Sequence, residues 1–396
     1  MLLLPSLQLF LFLLSFLQFT TPSTAESATT TSLLMVGNSF IDMNQLEFMV
    51  EQMLQEGDPH KQIYAMRFDQ GSSRFAEHVK ESALQQMMLE RTWDWVLLQE
   101  QSEIPAFGGT YWEPTLDLSL QSLETLDAWI REAHSETVLL MTWARVGMDP
   151  YYPDLFPNFE QMQHKVQEGY ERMQQAISTP ERPVPIVPAG LAFQYIHDHC
   201  CPNGQDPTAN GTDFVALYDP DTIHPSVLGS FLVACTIYAT LTPVGYPAVT
   251  HLRYAPPGMK TGVQHRLQEA AQAVVLQYNQ QNPNNRDYVE MKRAAHKKPY
   301  QPDEEPSSNN EKEDTAPASS STVPPSTTSN TPKRILTIVL PAVGVVFVMM
   351  NVWMWLQQKR QLANYAGRQP VPSSQDELYD DLQLRDSSSF ELPEIR

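Results

Sequence analysis

Between residues 31 and 297, short apolar runs alternate with segments whose apolar positions recur every three or four residues. Residues 33–36 form an apolar run that stops at Gly37, as a buried strand does. Residues 45–55 follow with Leu46, Met49, Val50, Met53 and Leu54 on one helical face. The same reading predicts strands at 63–68, 94–98, 137–141 and 184–187. It predicts helices at 82–90, 116–133, 159–177, 225–241 and 262–280. Continuous apolar strands separated by helices point to a parallel sheet covered on both faces. Right-handed crossovers make that an α/β, three-layer, doubly wound sandwich of the flavodoxin-like kind. In such sheets the ligand site lies beyond the carboxyl ends of the strands.

Two further apolar stretches break this rhythm. Residues 7–19 are almost wholly Leu and Phe, and Ser23 and Ala25 supply small residues for a cleavage site after Ala25. Residues 1–25 are therefore expected to be a secretory signal peptide. Residues 335–356 carry no charge and span roughly 33 Å as a helix, enough for a bilayer core. Trp353 and Trp355 suit the interface, and Lys359 and Arg360 follow. With a cleaved leader, this transmembrane helix predicts a single-pass protein of the secretory pathway or plasma membrane. Its ectodomain lies in the lumen or outside the cell. Residues 298–334 are rich in Ser, Thr and Pro and read as a stalk. Residues 357–396 form a cytoplasmic tail, in which Tyr379-Asp380-Asp381-Leu382 has the pattern of a sorting-adaptor signal.

Composition narrows the function. The 396 residues hold 26 Lys and Arg against 46 Asp and Glu, a formal charge of −20, which argues against nucleic-acid binding. The three cysteines cannot build a disulfide framework; in an oxidising compartment Cys235 is expected to pair with Cys200 or Cys201. His197, His199 and the two adjacent cysteines are metal-type donors, yet no second cluster accompanies them, so neither metal nor cofactor is expected. Asn210-Gly211-Thr212 is an N-glycosylation sequon.

The chemistry-bearing residues sit at predicted strand ends. Gly37-Asn38-Ser39 follows the first strand, where a serine at a sharp turn is placed to attack a carbonyl. Alone, that pattern reads better as a helix cap at Ser39. Asp221-Thr222-Ile223-His224 precedes the helix at 225–241, and its spacing lets the carboxylate orient one imidazole nitrogen while the other takes a serine proton. The combination is far more specific than either part. Trp143 and Arg145 follow the fourth strand and are candidate substrate contacts; Phe107, Tyr111 and Trp112 are candidate cleft walls.

These blocks resemble those of the SGNH (GDSL-like) hydrolases. Gly37-Asn38-Ser39-Phe40 matches the first block and Asp221 to His224 the last, while Gly71, in Asp69-Gln70-Gly71-Ser72-Ser73, matches the glycine of the second. The resemblance implies an SGNH fold and a serine esterase with Ser39 as nucleophile, His224 as base and Asp221 as its partner. It also implies an oxyanion hole built from the N–H groups of Ser39 and Gly71. The third block departs from the pattern: Leu98-Gln99-Glu100-Gln101-Ser102 replaces the usual Gly-x-Asn-Asp, so Gln101 or Gln99 must supply the side-chain donor. Gln-containing third blocks resemble those of carbohydrate esterases, which favours a carbohydrate ester over a lipid ester. Asn38 replaces the usual aspartate. The rival expectation is a catalytically weak or inactive receptor or adhesion protein on the same fold.

Overall fold

The computed structural model describes residues 30–108 and 113–297. Five strands form one wholly parallel sheet: β1 (Thr30–Gly37), β2 (Gln62–Asp69), β3 (Trp95–Leu98), β4 (Thr137–Leu140) and β5 (Ile186–Val187), in the order β2-β1-β3-β4-β5. This order reverses direction between β1 and β3, where a doubly wound sheet opens its ligand crevice. Leu33 to Val36, Val96 to Leu98 and Val138 to Leu140 have no exposed surface, as strands covered on both faces require.

Ten helices accompany the sheet among the described residues: α1 (Ser39–Asp42), α2 (Leu46–Gly57), α3 (Phe75–His78), α4 (Ser82–Leu89), α5 (Glu113–Glu132), α6 (Phe159–Ile177), α7 (Ala189–His199), α8 (Val227–Leu241), α9 (Thr261–Gln281) and α10 (Pro283–Lys297). Helix α8 packs with α2 and α9, whereas α4 packs with α5 and α5 with α6. Fourteen of the fifteen residues of α8 are buried, from Leu228 to Leu241. A helix apolar on every side must be kept from water, and α8 is enclosed by α2, α7 and α9.

The pattern at 184–187 shortens to the pair Ile186–Val187, because Pro185 has no N–H to give a ladder. Beyond β5 the sheet edge is closed by a side chain. Asn285 of α10 accepts from Ile186 N at 2.9 Å and donates to Ile186 O at 2.8 Å, as a sixth strand would.

Among the described residues no helix is long and apolar enough to cross a membrane. The leader at 1–25, the stalk at 298–334, the span at 335–356 and the tail with Tyr379 lie outside the described residues. The expected bridge to Cys235 is not formed: all three cysteines are free thiols, and Cys235 is enclosed in α8 with no exposed surface.

Candidate active site

The Ser39 turn begins where β1 ends. Asn38 is extended (φ −134°, ψ −152°) and caps α1 by accepting from Phe40 N at 3.1 Å. Its amide nitrogen donates to Ser73 O at 3.0 Å, which ties the turn to the loop after β2. An aspartate could do the first of these but not the second. Gly37 O accepts from His78 Nε2 at 2.9 Å, and Asn38 N donates to Gln99 Oε1 at 3.0 Å. A Cβ on Gly37 would collide with Gln99 Oε1, so this strand end tolerates no side chain. Ser39, half-buried, thus sits on a turn fixed from three sides.

Burial pushes the His78 pKa down, against the pull of its bond to Gly37. The neutral ring carries its proton on Nε2, and buried Nδ1 has no hydrogen-bond partner.

The Asp221–His224 loop meets this turn from 185 positions further along the sequence. His224 Nε2 lies 2.8 Å from Ser39 Oγ, and His224 Nδ1 lies 2.5 Å from Asp221 Oδ2. The other carboxylate oxygen accepts from the N–H groups of Ile223 and His224, both at 2.9 Å. Burial alone would raise the Asp221 pKa. Hydrogen bonds from the His224 ring and from the Ile223 and His224 N–H groups outweigh it and hold the carboxyl below its ordinary value. Thr222, between them, adopts φ +63°, a left-handed conformation unusual for a β-branched residue. The geometry is complete for proton transfer from the Ser39 hydroxyl to a neutral imidazole whose cation Asp221 stabilises.

The end of β3 separates the two glutamines. Gln99 is fully buried; its oxygen holds Asn38 N, and its nitrogen donates to Glu100 O. Gln101 is half-buried; its oxygen accepts from Glu103 N at 3.0 Å, and its nitrogen makes a long bond to Ser102 Oγ at 3.4 Å. Gln99 therefore builds the Ser39 turn, whereas Gln101 keeps a weakly engaged amide donor. Gly71 is exposed just past β2, whose last residue, Asp69, pairs with Gly37. A Cβ on Gly71 would meet nothing within 4 Å.

Glu100, between the glutamines, carries a role the sequence reading did not assign. It is fully buried and accepts from Phe75 N at 3.1 Å, from Gln101 N at 2.7 Å and from the Ser119 hydroxyl. Burial raises its pKa to about 7, against those bonds. Only an isolated acid in an otherwise uncharged strand exit hints at this from sequence.

Trp143 and Arg145 are not open cleft contacts. Trp143 is 1% exposed and stacked between Phe40 (4.7 Å, 7°) and Phe193 (4.7 Å, 6°). Its indole N–H donates to Ile223 O at 3.1 Å. It therefore braces Phe40, next to Ser39, against the loop that carries His224. Gln163 and Tyr218 fix its neighbour Ala144, by bonds of 2.8 Å to Ala144 N and O. Arg145 is paired with Glu103 and Asp149, each at 2.5 Å; the Asp149 contact is ionic, without hydrogen-bond alignment. Its charge is spent on those two carboxylates. Phe107 is 4% exposed and packs against Tyr152 and Phe156, while Tyr111 and Trp112 lie outside the described residues.

His197 stacks on Phe159 and bonds Asp198 at 2.8 Å. Asn210 is exposed on a turn, while the Thr212 hydroxyl is buried and donates to Pro207 O.

Neither a protein-family model nor a curated protein sequence matches the chain. Solved structures do. One is a DUF4886 family protein from Bacteroides uniformis, 18% identical, with a TM-score of 0.47 over 62% of this chain and 95% of that one. Another is a provisionally assigned SGNH hydrolase from Slackia heliotrinireducens, 20% identical, with a TM-score of 0.39 over 53% and 98%. A third is the acetylxylan esterase Axe2 from Geobacillus stearothermophilus, 15% identical, with a TM-score of 0.38 over 54% and 95%. SGNH-type hydrolase structures are thus among those this chain is similar to.

Proposed function

We propose that the protein is a serine esterase of the SGNH type. The observation that carries this reading is the unbroken relay from Ser39 Oγ through His224 to Asp221, joined across 185 positions of sequence. Ser39 Oγ attacks the ester carbonyl as its proton passes to His224 Nε2. The oxyanion is held by the N–H groups of Ser39 and Gly71 and by the Gln101 amide. Ser39 opens α1, where N–H groups lack intrahelical acceptors. His224 then protonates the departing alcohol, and water, deprotonated by the same imidazole, releases the acid and restores Ser39.

A carbohydrate ester is the preferred substrate class and a lipid ester the second. The third-block resemblance favours the sugar. The enzyme is anchored by 335–356 with its catalytic domain in the lumen or outside the cell, and the tail at Tyr379 meets a sorting adaptor.

An ester panel run on wild type beside Ser39→Ala tests the chemistry. Turnover carried by Ser39 is the expected result, with a fluorophosphonate adduct on that residue. Turnover indifferent to the substitution removes the nucleophile assignment. Glycan binding without turnover on any ester makes the protein a receptor instead. Protease digestion of a tagged tail from outside sealed membranes would reverse the topology.

A further inference from the structure

Helix α7 ends at His199, and Cys200 and Cys201 follow at its exit. Neighbouring side chains on a helix do not face one another, and on a strand they point to opposite sides. Here the chain leaves α7 so that both thiols turn together, Sγ to Sγ at 2.7 Å. Both residues are half-buried, and the chain from Pro202 to Asp206 beyond them is exposed, so small solutes reach the pair. Cys200 Sγ also touches His197 O at 3.5 Å, which holds its side chain over the helix end. Cys235 is sealed within α8 and cannot compete.

We propose that Cys200 and Cys201 form a redox-modifiable dithiol that closes to a vicinal disulfide with a low-molecular-weight disulfide as oxidant. The thiolate of one cysteine attacks a sulfur of RSSR, and the first RS⁻ leaves. The neighbouring thiolate attacks the mixed disulfide at the protein sulfur, and the second RS⁻ leaves. Two protein thiols lose two electrons and two protons; RSSR gains them as two RSH. Burial and the adjacent thiol push Cys200 up to about 12, so the first attack falls to Cys201. Cα atoms joined by one peptide bond lie about 3.8 Å apart, closer than the usual disulfide separation, so the closed form is readily reduced. This site goes beyond the proposed esterase and stands or falls without it.

The full-length chain, treated with oxidised glutathione, alkylated under denaturing conditions and digested, gives the test. The peptide holding Cys200 and Cys201 is expected two hydrogens lighter than the dithiol and unalkylated, while Cys235 is alkylated. A mild dithiol reductant restores both sites. Phenylarsine oxide added first is expected to block closure, forming two S–As bonds with loss of water. In Cys201→Ser the mass loss disappears and any adduct on Cys200 persists as the mixed disulfide. Two alkylated thiols in the wild-type peptide, a stable glutathione adduct there, or a cross-link to Cys235 would each overturn the proposal.

Discussion

The two halves of the relay are held in opposite ways. The Ser39 turn is fixed by buried groups, with Asn38 2% exposed and His78 and Gln99 fully enclosed. The Asp221–His224 loop stands at the surface, the Asp221 side chain 46% exposed and that of His224 29%. It is moored by a few bonds: Trp143 to Ile223 O, Asp219 N to His224 O at 2.8 Å, and Val146 N to Thr222 O at 3.3 Å. A nucleophile must be aimed, and buried hydrogen bonds do that well because breaking one costs about 1–3 kcal/mol. A base must shed and regain protons, and an exposed loop leaves it in reach of water.

That contrast can be broken at its centre or sharpened at its edges. The largest effect is expected from Ser39→Ala or His224→Ala, each lowering ester kcat by up to about 10⁶-fold, with an unchanged melting temperature. Gln101→Ala is expected to lower kcat by about 10²–10³-fold and leave stability intact. Gln99→Ala is expected to do the reverse, lowering the melting temperature first, because Asn38 N loses its acceptor; equal kinetic losses without destabilisation would undo the separation of the two glutamines.

The next effect is one of pH. Glu100 has a raised pKa in the fold, so its contribution to stability is fully present below its ordinary value near 4.5. That contribution is lost as pH rises through about 7. The loss is on the order of 3 kcal/mol. His78 has a lowered pKa, so its contribution is present above the ordinary imidazole value and is lost as pH falls. Denaturant melts from pH 5 to 8 should show Glu100→Gln flattening the alkaline limb alone. Asn38→Asp should cost about 1–3 kcal/mol, since a carboxylate cannot donate to Ser73 O. A neutral result would mean that the amide bond does not hold the turn. Smallest of all, Trp143→Phe keeps the stack and loses the bond to Ile223 O. Loss of one such bond is worth about 0.5–1.5 kcal/mol, read as a fall in kcat of about tenfold at most with KM unchanged.

Much of this was legible in the residues. The run 33–36 and the helix at 159–177 are simple periodic signals, and α6 spans Phe159–Ile177 as read. The relay was legible because Ser39 and Asp221 to His224 are local motifs at element ends. What escaped depends on long-range packing. Helices α1 and α3 are one turn each, too short to show a period. Helix α10 is mostly polar, and its ties to the fold are scattered: Asn285 on β5, Tyr288 against Trp95 and Lys292 on Glu136. Trp143 follows a strand end, the place where cleft residues are sought. Its ring is instead claimed by Phe40 and Phe193, from segments that no spacing rule brings together. Strand periodicity puts Gln99 and Gln101 on one face, but β3 ends at Leu98, and only the structure shows Gln99 buried against Asn38 N and Gln101 half-buried beside Glu103.

The 185 positions between Ser39 and His224 also set a clock. At about 5–20 residues per second, a ribosome releases the nucleophile turn roughly 10–40 s before the imidazole that must activate it. For that interval the nascent chain carries a serine with no base. The base follows only with the loop that leads into α8, the helix that must then be swallowed whole. On the proposed esterase reading, the onset of ester hydrolysis is therefore expected to follow closure of the sandwich.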